Sequence, residues 1–173
     1  MKKWIILLLG IIISGILWLS PMKICEESMM LYIDISSEVE QAYQVFYSKD
    51  DNLIEEQSKR IKYSSVGKVE KLEIELPKET RVIRVDFGEQ AGKHTISKFV
   101  LMYGKQVIFN SIYLKEYIVT ENMISFYKWN KEELEISTNG SDSFLTLDLS
   151  TLNLEDRLKE LDEVNRRSEN IKK

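Results

Sequence analysis

The chain changes from continuous apolarity to strict alternation soon after its start. Residues 4 to 19 are apolar apart from Gly10, Ser14 and Gly15, and Lys2 and Lys3 precede them. At about 1.5 Å per residue this run is short for a hydrocarbon core of about 30 Å, and it reaches spanning length only if the helix continues to Ile24. We therefore predict a transmembrane helix over residues 1–25.

Two interpretations of this segment compete, a cleaved signal peptide and an uncleaved anchor. Ser20-Pro21-Met22-Lys23 lacks the small residues at the −3 and −1 positions that cleavage requires, which favours the anchor. The positive residues Lys2 and Lys3 favour a cytoplasmic N-terminus. We expect a single-pass protein of the cytoplasmic membrane with its main domain outside.

From Leu31 onward apolar and polar residues alternate, the period of half-buried β-strands. Alternating runs begin at Leu31, Tyr43, Leu72 and Ile83, and further β-rich runs cover 96–103, 106–114, 117–119, 123–129, 134–137 and 144–149. Turn residues such as Asn139-Gly140 separate them. This pattern predicts an all-β sandwich or barrel over residues 26–150.

The end of the chain, residues 151–173, returns to helical spacing. Leu154, Leu158 and Leu161 form a narrow apolar stripe, with acidic residues in the first turn and Arg166 and Arg167 near the end. One interpretation is a helix packed on its own sandwich, and the other is a partner-binding helix that uses these leucines.

Charge and composition limit the possible chemistry. Without Lys2, Lys3 and Lys23, the net charge of −4 becomes −7 for the remaining chain, which argues against nucleic-acid binding. One Cys (Cys25) and one His (His94) exclude a disulfide framework and a His/Cys metal cluster, and His94 is predicted to be a solvated loop residue. Asp50-Asp51-Asn52 is a candidate calcium-binding cluster, although it does not have the spacing of an EF-hand loop. We expect no cofactor and no enzyme activity.

Arg84 and Asp86 lie two residues apart on one predicted strand, so they share a face. They are interpreted either as an ion pair or as a polar floor for sugar hydroxyls. Aromatic rings that could stack on a sugar are also present. Each of them is interpreted either as a core residue or as a platform for a sugar ring. The aromatic candidates are Tyr43, Tyr47, Tyr113, Tyr117, Tyr127 and Trp129. From both groups, the predicted saccharide-binding residues are Arg84, Asp86, Tyr47, Tyr127 and Trp129.

Short motifs in a fixed order carry a family resemblance. They are Gln44-Val45-Phe46-Tyr47, Glu55-Glu56-Gln57-Ser58, Ile74-Glu75-Leu76-Pro77, Ile83-Arg84-Val85-Asp86, and Gly92 followed by Ile96 and Val100. Over residues 31–114 the chain resembles the extracytoplasmic β-sandwich attached to bacterial polytopic membrane proteins of surface-polysaccharide synthesis, of the glycosyltransferase type. Phe87 stands where that family tends to have proline.

The resemblance implies a jelly-roll-like fold, an outside location and a saccharide context. It covers no transferase region, so it implies no transferase chemistry. We expect a non-catalytic accessory domain that binds saccharide or supports surface-polysaccharide synthesis. The alternative is a structural subunit that docks a polytopic membrane partner through the sandwich and the C-terminal helix.

Overall fold

A computed structural model describes residues 28–62, 66–130 and 133–171. The predicted membrane helix and Cys25 lie outside these ranges. Within them, no helix combines the length and the apolarity that crossing a membrane requires.

Strands account for most of the described chain. In order they are β1 (Met29–Ser37), β2 (Ala42–Ser48), β3 (Ser58–Lys62), β4 (Glu70–Leu76), β5 (Val82–Asp86), β6 (Gly92–Tyr103), β7 (Gln106–Asn110), β8 (Ile118–Asn122), β9 (Ile124–Asn130), β10 (Glu133–Thr138) and β11 (Phe144–Asp148). Two α-helices are described, the short α1 (Leu114–Tyr117) and the C-terminal α2 (Leu154–Ile171). Single 3-10 turns cover Glu55–Gln57, Ser111–Tyr113 and Ser150–Leu152.

The strands form two antiparallel sheets whose orders match. Sheet A has the order β4-β1-β6-β10-β9, with β7 also pairing β6, and sheet B has the order β3-β2-β5-β11-β8. At each position of this order, the strand in one sheet and the strand in the other are consecutive along the chain. The chain therefore passes repeatedly between the sheets instead of completing one before the other.

One hydrophobic core joins the inner faces of both sheets. In β1 the side chains of Leu31, Ile33 and Ile35 are fully buried, whereas the intervening residues are half-buried. Val85 of sheet B and Leu158 of α2 belong to the same cluster. The predicted all-β fold is confirmed, and its core is that of a sandwich.

Several local predictions needed correction. Alternation along the chain does not predict strand β3, because Ser58–Lys62 is an edge strand in which Ile61 is the only apolar residue. The run predicted to extend from Gln106 to Leu114 leaves the sheet at Asn110, whose side chain accepts the backbone N–H of Ile112 at 3.1 Å and starts a 3-10 turn.

Candidate functional site

The centre of sheet B places Arg84 among residues from neighbouring strands. Strand β5 lies between β2 and β11, and the registers set Arg84 opposite Phe46 on one side and Thr146 on the other. Asp86 lies opposite Gln44 and Phe144. All of these alternate with core residues, so they share the outer face of sheet B.

Arg84 and Asp86 form a bidentate ion pair on this face. Nε of Arg84 donates to Oδ1 of Asp86 at 2.6 Å, and Nη2 donates to Oδ2 at 2.8 Å. This hydrogen bonding raises the pKa of the guanidinium above its usual value, against an opposing effect of burial. The side chains are 28% and 22% exposed, so the pair is held in place yet open to solvent. Nη1 of Arg84 remains outside the pair.

Two phenylalanine rings enclose the guanidinium. The Cζ atom of Arg84 lies 4.2 Å from the ring centroid of Phe144 and 5.2 Å from that of Phe46. Cation–π attraction in a partly desolvated setting contributes about 0.5–2 kcal/mol per ring. Neither ring is among the residues predicted from the sequence, although Phe46 lies two residues from Gln44 on the same strand and therefore on the same face.

A third part of the site comes from the segment before β3. Nε2 of Gln44 donates to Oε2 of Glu55 at 2.6 Å and to Oγ of Ser58 at 2.9 Å. Ser58 Oγ also donates to the backbone carbonyl of Glu55. The Gln44, Glu55–Ser58 and Arg84-Asp86 segments quoted in the family resemblance therefore meet on one face.

A cleft of about 390 Å³ opens beside Arg84. Its size lies within the range of small-molecule sites. Its walls combine an aromatic ring, hydroxyl groups, carboxylates and the guanidinium. The lining residues are Asp51, Leu53, Val82, Arg84, Val119, Thr120, Phe144, Thr146 and Asp148.

The predicted aromatic candidates do not join this cleft. Tyr47 is partly buried and packs against the core, because it lies one residue from Phe46 and points to the opposite face. Trp129 belongs to β9 of sheet A and also packs against the core. Tyr47 and Trp129 therefore do not share a site with Arg84. The side chain of Tyr127 lies outside what the structure describes.

The other aromatic candidates divide between core and surface. Tyr43 is 1% exposed, and Tyr117 packs edge-on against Phe109. Tyr113 is 51% exposed, in the 3-10 turn after β7. None of these three residues lines the cleft.

The helix leucines also need correction as partner-binding residues. Leu154 and Leu158 are 5% and 3% exposed and belong to the core cluster, and Leu161 packs against it. Tyr103 of β6 donates its hydroxyl to Asp162, and Lys78 donates to Tyr103 at 2.6 Å. The apolar stripe of α2 is therefore used by the chain's own sandwich.

His94 is a core residue of β6, and the prediction of a solvated loop position is wrong. It is 1% exposed, its Nδ1 lies 2.9 Å from the Tyr43 hydroxyl and its Nε2 lies 3.2 Å from Oγ1 of Thr138. Oγ1 of Thr138 also lies 3.3 Å from the backbone carbonyl oxygens of Gln90 and Gly92. An Nε2–H that donates to Oγ1, with Nδ1 accepting from Tyr43, would use both ring nitrogens and leave the Thr138 proton for one of these carbonyls. Burial lowers the pKa of His94 from 6.5 to about 4.

The loop Asp50-Asp51-Asn52, the candidate calcium-binding cluster, is a hydrogen-bonded turn. Oδ1 of Asp50 accepts from Oγ of Ser48 and from the backbone N–H of Asn52, each at 3.0 Å. These bonds, the Asn52 N–H above all, lower the pKa of Asp50. Among the residues the structure describes, no group of three or more His, Cys, Asp or Glu side chains is placed to hold a metal ion.

A larger cavity, about 510 Å³, lies elsewhere, between the end of sheet B and the start of α2. Charged groups of both signs line it without an aromatic ring, so it offers less for a saccharide than the cleft beside Arg84. Its lining residues are Lys49, Asp50, Lys78, Glu79, Thr80, Arg81, Leu149, Ser150, Asn153 and Leu154.

Comparison of the chain with protein-family models, with curated proteins and with solved structures finds no match.

Proposed function

We propose that this chain is a membrane-tethered, non-catalytic domain that binds saccharide outside the cytoplasmic membrane and supports surface-polysaccharide synthesis or modification. The apolar run of residues 4–19 behind Lys2 and Lys3, which reaches spanning length if the helix continues to Ile24, supports the tether. The matched strand orders of the two sheets support a jelly-roll-like classification.

The cleft beside Arg84 carries the proposal. A saccharide ring has apolar C–H surfaces and hydroxyl edges, and it needs a site with both kinds of surface side by side. The rings of Phe46 and Phe144 enclose a guanidinium fixed by Asp86. Thr120 and Thr146 add hydroxyl groups to the same cleft. Because Arg84 and Asp86 already hold each other in place, a ligand would not have to order these two side chains on binding.

The alternative of a purely structural subunit has less support. Its main argument was an exposed leucine stripe on the C-terminal helix, and Leu154 and Leu158 are buried in the sandwich core instead.

The binding test uses the full-length chain in detergent micelles. A panel of neutral oligosaccharides, differing in hexose type and linkage, is titrated by calorimetry. We expect at least one to bind, and Phe144→Ala to weaken that binding about fivefold, because a lost aromatic contact is worth about 1 kcal/mol. The matched control is Tyr32→Ala, which removes a half-buried aromatic side chain from β1 of sheet A.

Unchanged affinity of the Tyr32 variant together with weakened affinity of the Phe144 variant supports the site. If no oligosaccharide binds, the proposed function is overturned. If one binds and both variants bind it like the original chain, the cleft beside Arg84 is overturned as its site.

The tether is tested separately. In intact spheroplasts, protease added outside should remove a C-terminal tag, and the N-terminal segment should stay with the membrane fraction. Protection of the tag until the membrane is permeabilised would reject the outside location.

A further inference from the structure

The charges around the cleft indicate which class of saccharide it accepts. We infer that it prefers amine-bearing saccharides, those with free hexosamine groups, over neutral and anionic ones. This inference rests on the proposed function and names the ligand class of the same site.

The cleft presents carboxylates without a free cation to balance them. Asp51 and Asp148 line it, and Arg84 is the one cation among the described lining residues. Both oxygens of Asp86 accept from Arg84, so the guanidinium charge is neutralised within the protein. The lining therefore has a net negative charge that a ligand ammonium group would compensate.

Carboxylates outside the pair strengthen this bias. Asp142 and Glu55 lie close enough to Arg84 to act on its charge. A uronic acid or a phosphate-bearing polymer would meet the negative charge of these carboxylates as well as that of the lining aspartates. Like-charge repulsion would therefore oppose anionic saccharides, although an arginine lies in the cleft.

The two lining aspartates differ in how firmly they are held. Oδ1 of Asp148 accepts the backbone N–H of Ser150 at 2.8 Å, which fixes this carboxylate at the end of β11. Asp51 is an exposed loop residue. A carboxylate fixed by a hydrogen bond and an exposed one on a loop can serve amines at more than one spacing along an oligosaccharide.

The test compares three oligosaccharides of equal length: a glucosamine tetramer, the same tetramer fully N-acetylated, and a galacturonic acid tetramer. The full-length chain in detergent is titrated at a pH of about 6, where a free amine is protonated. We expect the glucosamine tetramer to bind about tenfold tighter than its acetylated counterpart, as suits a few solvent-exposed ion pairs. Raising the salt concentration should reduce this preference.

Variants and a chelator test whether the cleft carboxylates cause the preference for the glucosamine tetramer. Asp51→Asn and Asp148→Asn should each weaken binding of the glucosamine tetramer more than binding of the acetylated tetramer, and so reduce the preference. Asp51→Asn keeps the test valid if Asp148→Asn disturbs the turn after β11. The matched control, Asp34→Asn, removes a carboxylate from β1 of sheet A and should leave the preference unchanged. EDTA should have no effect, because the inference involves no metal.

The outcomes separate this inference from the function on which it rests. Equal binding of the glucosamine and acetylated tetramers would overturn the inference and leave saccharide binding intact. So would tighter binding of the galacturonic acid tetramer, or a preference that EDTA abolishes. Binding of none of the three, together with a negative neutral panel, would overturn the proposed function itself.

Discussion

The hydroxyl of Tyr43 and Nδ1 of His94 lie 2.9 Å apart inside the core, and their hydrogen bond joins sheet B to sheet A. The ring centroid of Phe87 lies 5.2 Å from that of His94. In this apolar setting the imidazole stays neutral, so the folded chain binds its proton only at a pKa of about 4.

This buried histidine predicts an acid-sensitive fold. Below a pH of about 6.5 the unfolded chain takes up a proton that folded His94 does not bind until the pH approaches 4. The free energy of unfolding should therefore fall by about 3 kcal/mol between these pH values. Urea unfolding at a series of pH values measures this change. His94→Gln, which cannot titrate, should lose less stability over the same range, and parallel curves for both proteins would contradict the prediction.

The ion pair of the cleft predicts a strong coupling between Arg84 and Asp86. Arg84→Lys keeps the charge, but a lysine can neither form the bidentate pair nor stack as a plane between the two rings. We therefore expect the free energy of unfolding to fall by about 1 kcal/mol. A double-mutant cycle with Asp86→Asn, followed by chemical denaturation, should give a coupling energy of about 1 kcal/mol. A coupling energy near zero would show that the pair does not act as a unit.

Docking of α2 predicts unequal effects of two substitutions in this helix. Leu158→Ala should lower the free energy of unfolding by about 2–4 kcal/mol, because Leu158 is 3% exposed in the core cluster. Val164→Ala is the matched control, since Val164 is 55% exposed, and it should change stability by less than about 0.5 kcal/mol. Urea unfolding of the two variants measures both values. Equal, small effects would indicate that α2 does not pack on the sandwich.

The tight approach at Gly88 predicts a further contrast. Gly88 has φ of +81°, and a Cβ there would lie 2.8 Å from the carbonyl oxygen of Ala42 and closer still to the Gln41 amide. Gly67 has φ of +74° with nothing within 4 Å of such an atom. Because both glycines have positive φ, each Ala substitution should lower the free energy of unfolding by about 1 kcal/mol. Gly88→Ala should lower it by at least about 1 kcal/mol more, because of the steric clash. Thermal or urea unfolding compares them, and equal losses would rule out the steric contribution.

Alternation along the chain was sufficient to predict the faces of the strands, because the side-chain period of a strand depends on local geometry alone. It therefore predicted the common face of Arg84 and Asp86 and the buried face of β1. It could not predict which strands are neighbours. The rings around Arg84 come from β2 and β11, and only the registers of sheet B bring Phe46 and Phe144 to the guanidinium.

The residues that were placed wrongly from the sequence also depend on contacts between distant parts of the chain. The local sequence around His94, with Gly92 and Lys93, resembles a polar loop, and its hydrogen-bond partners come from strands about 50 residues before it and 44 after it. Tyr47 was predicted to bind saccharide because it is aromatic. It directly follows Phe46 in β2, so its side chain points to the face of sheet B opposite to that of Arg84. For the helix, the stripe of Leu154 and Leu158 predicted that something covers it, and only the tertiary structure shows that the sandwich does.

The matched orders of the two sheets have a consequence for how the chain folds. Strand β1 pairs with β4 and β6, and β6 pairs with β10, so the central pairings of sheet A join segments that are distant in sequence. Such non-local pairings must close long loops before they gain stability, which places comparable sandwiches in the millisecond-to-second range of folding times. Because strands of sheet A and strands of sheet B are interspersed along the chain, neither sheet can be completed from one continuous stretch of chain. We therefore expect both sheets to form in a single cooperative step.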